Sequence, residues 1–387
     1  MNKIELGQLP GEEISDRVNP RRCERLHVAL IDFYFFEYTI SLANALATQV
    51  QVSLLAPTDF RSLANLLSSD VDLISFRKPR MRSLNGLKMV AQIQRHLEHL
   101  KPDITHLLSV NPWLNLALLL WRPSNLVTTI HDPVMHVGDR SQHKIPQVVR
   151  DLPIPRSQSL IVHGQSVKDV LLARHAVSPE RITVVPIGEL SLYQHWGKQN
   201  WPEREGTILF FGRIWPYKGL KYLIAAEPII SAACPQAHFV IAGQGEDFDC
   251  YRAMMKHPER FEVLNEYIPR EDVPRLFQQA SVVVLPYIEA SQSAVIPLAY
   301  AFAKPVVATS VGGIPDVLED GVTGYLVPPR DIESLAGAVV RLLQDKEVRY
   351  SMGQNALDKT RNEMSWNTVA QQIIGVYQTV IRKCEAS

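Results

Sequence analysis

Two cations lie close together in the segment Phe210–Leu220, which reads FFGRIWPYKGL. The apolar residues before Gly212 are typical of a strand, so Arg213 and Lys218 are expected to follow its carboxyl end. Arginine offers a planar fork of donors and lysine a compact point charge, and together they suit a diphosphate. The alternative interpretation is two solvated surface charges, because short basic patterns are common.

Two more segments place small or polar residues directly after apolar runs. Gly243 and Gly245 stand in AGQGE at 242–246, where a Gly-x-Gly turn would let the backbone approach a ligand or simply form a tight turn. The loop 286–298 (PYIEASQSAVIPL) follows an apolar strand and precedes a helix expected at Leu298–Ala303. Ser291 or Ser293 could cap that helix, and free amides at its start would also suit phosphate.

Strands and helices alternate around these segments. In the first half, the runs typical of strands are His27–Asp32, Gln51–Ala56, Asp103–Leu108, Asn125–His131, Ser159–His163 and Thr183–Pro186, and Thr39–Thr48 has helical periodicity. After a polar linker at 199–206, the series restarts with Thr207–Gly212, His238–Ala242, Phe261–Leu264, Ser281–Pro286, Pro305–Ala308 and Gly324–Val327. This alternation predicts two doubly wound α/β units, each with a parallel sheet, and places the ligand site at the carboxyl ends of the strands.

Length and composition set further limits. A chain of 387 residues with 46% hydrophobic and 21% charged residues is expected to fold as two ordinary globular domains. Forty basic and forty acidic residues cancel, so charge gives no reason to expect a nucleic-acid partner. Four widely spaced cysteines and a polar N-terminus predict a cytoplasmic protein without a disulfide framework. The longest apolar run, Trp113–Trp121, is too short to span a bilayer and predicts a buried helix.

One segment departs from this even charge. Residues 77–101 hold seven basic residues against the single acidic Glu98, and the part from Ser83 to Leu100 has the pattern of an amphipathic helix. The segment Arg77–Lys101 is either a solvated basic helix face or a peripheral contact with anionic lipid at the inner face of the membrane. Its basic residues are Arg77, Lys78, Arg80, Arg82, Lys88, Arg95 and Lys101.

In this order, and followed by PVVAT at 305–309, VGGIPD at 311–316 and DGVTG at 320–324, these segments closely resemble the C-terminal domain of glycosyltransferase family 4. Its members are retaining enzymes of the GT-B fold, with two doubly wound Rossmann-like domains facing across a cleft. The resemblance covers most of residues 207–380. In the first half, TIHD at 129–132, His163–Lys168 and Val184–Gly188 fall where the family has a strand-end histidine, a sensor helix and an interdomain loop.

The resemblance implies roles for individual residues. It assigns Arg213 and Lys218 to the donor diphosphate and gives the same phosphates to the backbone amides of the loop at 293–295. With these, the predicted donor side is Arg213, Lys218, Gly243, Glu246, Glu289, Gln292, Ser293, Ala294 and Val295. The family's histidine beside the transferred sugar falls on His131, and we predict His131, Asp132 and His136 as catalytic, a capped turn with a satisfied histidine being the alternative.

The same resemblance divides the chain. Residues 1–24 are expected to be a flexible segment, 25–195 an acceptor-side domain and 196–365 the nucleotide-sugar-binding domain. Residues 366–387 are expected to form a helix that crosses back to the first domain. No metal or cofactor is implied, since the two cations would balance the diphosphate and the nucleotide sugar is a substrate.

Two positions depart from the family pattern. The family has two glutamates with seven residues between them, and these positions fall on Ala290 and Leu298. Glu289 could replace the first through a change of register, and QSAVIPLAYAF at 292–302 is similar to a bacterial, polysaccharide-type subfamily that lacks the pair. Many relatives also have a Gly-Gly loop after the first strand, whereas Asp32–Thr39 (DFYFFEYT) has aromatic residues that either shape the acceptor side or pack in the core.

The implied activity is transfer of a hexosyl or related sugar, with retention, from a nucleotide sugar to a glycan or lipid-linked acceptor in exopolysaccharide or cell-envelope glycan synthesis. The missing glutamates keep open a non-catalytic nucleotide-sugar-binding or scaffold protein, and an epimerase acting on nucleotide sugars is a more distant alternative. The donor base (UDP, GDP, ADP or dTDP), the sugar, the acceptor and the oligomeric state stay open.

Overall fold

The computed structural model describes residues 25–385 apart from Arg82, Ser124, Val137, 139–144 and Lys198. The segment 1–24, expected to be flexible, lies outside the described residues. The predicted alternation of strands and helices is confirmed over the described part of the chain, where two separate parallel sheets form.

The first sheet, as described, has seven strands in the order β3-β2-β1-β4-β5-β6-β7. Its strands are β1 His27–Ile31, β2 Gln51–Pro57, β3 Val71–Phe76, β4 Ile104–Leu107, β5 Leu126–Ile130, β6 Ser159–Val162 and β7 Ile182–Val184. Helices cover both faces, so a central strand such as β1 is apolar on both sides, and Val28 to Ile31 are fully buried. β3 is a strand that the sequence pattern missed, because it lies at the edge and only its ends, Val71 and Phe76, are buried.

The second sheet, over the described residues, has six strands in the order β10-β9-β8-β11-β12-β13. Its strands are β8 Thr207–Phe211, β9 His238–Ala242, β10 Phe261–Leu264, β11 Val282–Leu285, β12 Val306–Thr309 and β13 Gly324–Val327. In both sheets the strand order reverses beside the first strand of the unit, β1 or β8, and such switch points are where doubly wound sheets bind ligands.

Helices connect the strands and cover the sheets. In the first half they are α1 Phe36–Ala47, α2 Asn85–Leu100, α3 Pro112–Ala117, α4 Gln147–Asp151, α5 Pro153–Arg156 and α6 Gln165–Arg174. In the second half they are α7 Leu220–Ala233, α8 Asp249–Arg252, α9 Val273–Gln279, α10 Val295–Ala301, α11 Ile332–Gln344, α12 Lys346–Asn362 and α13 Trp366–Glu385. Short 3-10 helices form at Thr58–Leu66, Pro179–Arg181, Ser191–Trp196, Pro216–Lys218 and Pro258–Arg260.

The prediction of a buried helix at Trp113–Trp121 is wrong. Asn111 caps α3 through its side chain, but the helix ends at Ala117, and two of the three leucines that follow are exposed, Leu119 by 48% and Leu120 by 96%. The core contacts of this segment come instead from Leu114 and Leu118. None of the described helices is long and apolar enough to cross a membrane.

Helix α13 packs on the first sheet's side of the molecule, within the same apolar cluster as β1, β2 and α1. Its Trp366 donates from Nε1 to the carbonyl of Glu189 at 2.7 Å, and the Tyr377 hydroxyl lies 2.7 Å from Nδ1 of buried His106. These bonds satisfy polar groups that are otherwise enclosed by apolar side chains. The division of the chain at 195/196 and 365/366 stays a prediction.

The bond between Tyr377 and His106 leads to a stability prediction. Replacing Tyr377→Phe leaves the buried imidazole nitrogen without its partner, so the free energy of unfolding should fall by about 1–3 kcal/mol in denaturant titration. Gln372→Ala, on the exposed side of the same helix, is the matched control. An equal loss in both variants would contradict a specific role for the hydroxyl.

Candidate functional site

The carboxyl ends of the strands in the two sheets face one another and enclose three adjoining cavities. The central cavity, of about 360 Å³, is lined by residues from both halves. The N-side cavity, of about 530 Å³, is lined mainly by the first half, and the C-side cavity, of about 610 Å³, mainly by the second. Arg213 lines all three, so its guanidinium lies where they meet.

Backbone geometry brings Arg213 to this point. Gly212 has a φ of +123°, and its N–H donates to the carbonyl of Ala242 at 3.0 Å. Gly243 has a φ of +145°, and a Cβ there would lie 1.9 Å from the carbonyl oxygen of Gly212. Only glycine lets the ends of β8 and β9 approach this closely. Gly243 therefore has a structural reason to be glycine, and it also lines the C-side cavity.

Lys218 is held over aromatic rings on the wall of the central cavity. Its Nζ lies 3.7 Å from the centroid of the Tyr287 ring and 5.1 Å from that of Tyr217. The hydroxyl of Tyr217 also accepts a hydrogen bond from Arg213 at 3.1 Å. No carboxylate among the described residues lies within ion-pair distance of Lys218. Aromatic faces orient the ammonium without neutralising it, so its charge is available to an anionic ligand.

His131 enters the cavities from the end of β5 as a neutral ring. Its Nε2 lies 2.9 Å from the carbonyl oxygen of Leu108, so this nitrogen must carry the proton and donate it. The lone pair on Nδ1 then faces the amide nitrogen of Gln292 at 3.5 Å. Burial lowers the pKa of His131 despite the nearby carboxylates of Asp132 and Asp32. The side chain can therefore accept a hydrogen bond from a ligand hydroxyl near neutral pH.

His136 joins the two halves across the cleft. Its Nε2 lies 3.4 Å from Asp132 Oδ1 and 3.2 Å from the hydroxyl of Ser291, and its ring stacks on Tyr217 with centroids 4.6 Å apart. Burial would raise the pKa of Asp132, but the hydrogen bond and charge of His136, with smaller effects of His131 and Ser291, lower it to about 2. Asp132 is thus an ionised carboxylate held in place by His136.

Gln292, Ser293, Ala294 and Val295, which are predicted to bind the donor, all line the central cavity. Ser293 accepts the N–H of Val295 at 3.3 Å. The Oε1 atom of Gln292 and the hydroxyl of Tyr38, which lines the same cavity, are buried with no hydrogen-bond partner among the described residues. Unpaired buried polar atoms cost about 1–3 kcal/mol each, so a polar ligand that pairs with them would be stabilised.

Two predicted donor-side residues are not brought to the cavity walls. Glu246 accepts a hydrogen bond from the hydroxyl of Tyr251 at 2.6 Å, within its own half of the chain. Glu289 lies 4.0 Å from Nδ1 of His136, outside the linings of the three cavities. Leu298 is buried in α10 with 3% of its surface exposed. A carboxylate at either of the family's glutamate positions is therefore absent here.

The aromatic residues after β1 divide between the two predicted uses. Phe33 is fully buried and packs on Phe76 with ring centroids 5.2 Å apart. Phe35 and Tyr38 lie against His131, at centroid distances of 4.2 and 5.6 Å, and both line the central cavity. Phe36 packs on buried Phe60 with ring centroids 5.0 Å apart, so the run contributes both to the core and to the site.

Two contacts that join the halves could not be predicted from the sequence. Glu37 pairs with Arg270, and the N–H of Gln165 at the start of α6 donates to Asp316 Oδ2 at 2.8 Å. A carboxylate at a helix N-terminus also interacts favourably with the helix dipole. Asp316 ends the run at 311–316, which marked it for attention, but no sequence signal pairs residues 151 positions apart.

Two more buried histidines lie behind His131. The His163 ring lies 5.0 Å from that of His131, and its Nδ1 lies 2.9 Å from the carbonyl of Val185. His106 contacts Thr129 through Nε2 at 2.8 Å. Burial, with a smaller effect of His131, lowers the pKa of each to about 3. Among the described residues, no group of three or more His, Cys, Asp or Glu side chains is placed to hold a metal ion.

Family models match both halves of the chain. Residues 37–188 match the model described as Glycosyltransferase Family 4, and residues 205–345 match the model described as Glycosyl transferases group 1. The first match includes His131, Asp132 and His136, and the second includes Arg213 and Lys218.

Curated relatives carry related names. An uncharacterized glycosyltransferase of Methanocaldococcus jannaschii is 33% identical over 179 residues, which cover 45% of this chain and 45% of that protein. The D-inositol 3-phosphate glycosyltransferase of Corynebacterium glutamicum is 26% identical over 287 residues, 68% of each. The match thus spans about half the length of the archaeal relative.

Solved structures share the whole architecture. Sucrose-phosphate synthase from Thermosynechococcus elongatus superposes with a TM-score of 0.72 at 19% identity, over 93% of this chain and all of that one. Anabaena HepE in complex with UDP-glucose superposes with a TM-score of 0.68 at 19% identity, over 91% of this chain and 99% of that one. At these identities the likeness concerns the fold, and the predicted GT-B fold is confirmed.

The buried histidines predict how stability depends on pH. An unfolded histidine titrates near 6.5 and folded His163 near 3, so in this window the unfolded state binds more protons and stability is lost as the pH falls. Each such histidine contributes up to about 1.4 kcal/mol per pH unit. His163→Gln keeps a donor for Val185 but cannot be protonated.

Between pH 7 and pH 5, urea unfolding of the His163→Gln variant should therefore show a smaller loss of stability than the wild type, by up to about 2 kcal/mol. His99→Gln, at an exposed position of α2, is the matched control. Parallel losses in the wild type and the His163 variant would contradict a buried neutral imidazole at this position.

Proposed function

The chain belongs to the group 1 and family 4 glycosyltransferases, and on that premise we propose that it transfers a sugar, with retention, from a nucleotide-sugar donor to a glycan or lipid-linked acceptor. The process it serves in this proposal is exopolysaccharide or cell-envelope glycan synthesis. The observation that carries the proposal is the position of Arg213, whose positive charge lies where the three cavities meet, with Lys218 beside it on the central cavity.

This position suggests how the donor would lie. The nucleoside would occupy the C-side cavity, beside Trp215, Tyr267 and the backbone at 243–245. The diphosphate would lie against Arg213, Lys218 and the loop at 293–295, and the sugar would extend through the central cavity toward His131. HepE was solved with UDP-glucose, which makes uridine donors the first to test.

The proposed reaction breaks the bond between the anomeric carbon and the β-phosphate oxygen. An acceptor hydroxyl forms the new bond from the face that the leaving group vacates, and its proton passes to the departing phosphate oxygen. Arg213 and Lys218 would stabilise the charge that develops on that oxygen, an effect worth several kcal/mol in a site closed to water. In this proposal these two cations supply the counter-charge without a metal ion.

The neutral imidazole of His131 would orient the reacting sugar. Its unprotonated Nδ1 can accept a hydrogen bond from a hydroxyl of the donor sugar or of the acceptor. Asp132, fixed as a carboxylate by His136, would be a second acceptor on the same side. Contacts across the cleft, including that between His136 and Ser291, would keep water from competing with the acceptor.

The basic segment Arg77–Lys101 would bring the enzyme to its acceptor. Most of it forms α2, and its cations are suited to a peripheral contact with anionic lipid on the cytoplasmic side of the membrane.

One observation favours a second candidate, a protein that binds nucleotide sugars without transferring them. Leu298 and Ala290 occupy the family's two glutamate positions, Glu246 and Glu289 lie off the cavity walls, and Glu37 on the central cavity is paired with Arg270. Release of nucleoside diphosphate from a donor in the presence of acceptor would discard this candidate.

Lys218→Ala tests the diphosphate site. The variant should lose transfer by about 10²–10³-fold, because one charged group aimed at the leaving phosphate is removed. Nucleoside diphosphate release is the readout, and the melting temperature without ligand should be unchanged. Lys221→Ala, an exposed lysine three residues away on α7, is the matched control and should retain activity. Full activity in Lys218→Ala would overturn the assignment.

The donor base can be identified by thermal shift against UDP, GDP, ADP and dTDP sugars. A ligand at 100 times its dissociation constant stabilises the native state by about 2.7 kcal/mol, so the matching donor should raise the melting temperature. We expect one base to give the shift and Lys218→Ala to abolish it. A shift of equal size in that variant would contradict the proposed site.

A further inference from the structure

A fourth cavity lies between β3 and α2, apart from the three described above. It has a volume of about 610 Å³, and its lining includes Arg77, Lys78, Arg80 and Lys88 with the polar side chains of Ser83 and Asn85. Among the residues that the structure describes, no acidic side chain lines it. We call this cavity the basic groove.

The charges of the basic groove are largely uncompensated. Within the described parts of the chain, Arg77, Arg80 and Lys88 make no ion pair. Lys78 is the exception, since its Nζ lies 3.7 Å from Asp59 and donates to the carbonyl of Phe33 at 3.0 Å. Cations that lie close together without counter-charges repel one another. An anion with more than one negative charge reduces this repulsion most. A diphosphate fits this requirement.

The basic groove shares a wall with the N-side cavity. Lys78 Nζ lies 4.6 Å from the centroid of the Tyr34 ring, and Tyr34 lines the N-side cavity. Met81 lines that cavity too and directly follows Arg80 in the chain. The N-side cavity in turn reaches His131. An anion in the groove would therefore lie beside the space that leads to the proposed transfer centre.

Exposed leucines form one rim of the groove. Leu84 is 75% exposed and Leu87 is 59% exposed, and they alternate in sequence with the groove residues Ser83, Asn85 and Lys88. Exposed apolar side chains among cations are suited to a lipid surface, where the chains enter the acyl region and the charges meet phosphate.

Trp113 holds this rim in place. Its Nε1 donates to the carbonyl of Met81 at 2.8 Å, and its ring packs so closely on Gly86 that a Cβ there would lie 2.3 Å from it. Helix α3, which carries Trp113, contacts α4 as well as α2. Two more exposed aliphatic residues belong to this region: Leu120 follows α3, and Val148 lies on α4. The apolar rim is thus part of a fixed surface.

We propose that the basic groove binds the diphosphate of a lipid-linked acceptor, with Leu84 and Leu87 in the lipid and the acceptor's sugar in the N-side cavity. This rests on the proposed function, because it names the class of acceptor for the same transfer site. It goes beyond attraction to anionic membranes, since it requires a preference for diphosphate over other negative charge.

The test is cosedimentation with three kinds of vesicle. The first is phosphatidylcholine alone, the second is phosphatidylcholine doped with undecaprenyl diphosphate, and the third contains phosphatidylglycerol to the same total charge as the second. The groove variant is Arg80→Glu with Lys88→Glu. The matched control is Arg95→Glu with Lys101→Glu, which reverses two charges of the same basic segment outside the groove lining.

The wild type and the control variant should bind the diphosphate vesicles about tenfold more tightly than the phosphatidylglycerol vesicles, and the groove variant should lose this preference. Inorganic pyrophosphate should release the wild type from the diphosphate vesicles. Leu84→Ser with Leu87→Ser should weaken vesicle binding while binding of pyrophosphate is kept.

Equal binding to the two charged vesicles, or equal losses in the groove and control variants, would overturn the proposal and leave only attraction to membrane charge. The proposal would also be overturned if inorganic pyrophosphate failed to release the wild type from the diphosphate vesicles. The thermal shift produced by the nucleotide sugar should be the same in all these variants. If that shift is absent while vesicle binding follows the prediction, the donor assignment fails and the groove stands.

Discussion

The positive charge at the meeting point of the three cavities is the constraint on which the site depends. Arg213 and Lys218 contribute two cations, His131 is neutral, and Asp132 is paired with His136. Glu246 and Glu289 lie off the cavity walls, and Glu37, which lines the central cavity, is paired with Arg270. Two cations at the carboxyl ends of parallel strands favour an anionic ligand, and a diphosphate joined to an organic group on each side would extend from them into the C-side and central cavities.

The same constraint explains features that would otherwise look unrelated. The ends of β8 and β9 must approach closely to present Arg213, which requires glycine at Gly243. Lys218 must remain charged near a partly closed cavity, and aromatic rings hold it there without a carboxylate. The halves must also stay together around the ligand, which the Glu37–Arg270 pair and the Gln165–Asp316 bond support.

Sequence patterns predicted the strands and strand ends that follow from the local order of residues. They missed features that depend on partners far away in the chain. Strands buried on both faces, such as β1 and β8, are continuous apolar runs and were located to within a residue or so. The edge strand β3 has polar residues and was missed, and Leu120 is exposed although its run reads as core. Arg213, Lys218 and the loop at 292–295 line the cleft, as expected where strand ends converge, and their contact with a donor stays a prediction. Glu246 does not line the cleft, because it accepts a hydrogen bond from Tyr251.

The most direct test of the account compares a nucleoside diphosphate with its nucleoside by titration calorimetry, using the base that binds best. If the two cations are the core of the site, the diphosphate should bind far more tightly than the nucleoside, and Arg213→Ala should remove most of that difference. Affinity for the nucleoside itself should change little in the variant. Equal affinities for the two ligands in the wild type, or an unchanged difference in Arg213→Ala, would contradict the account.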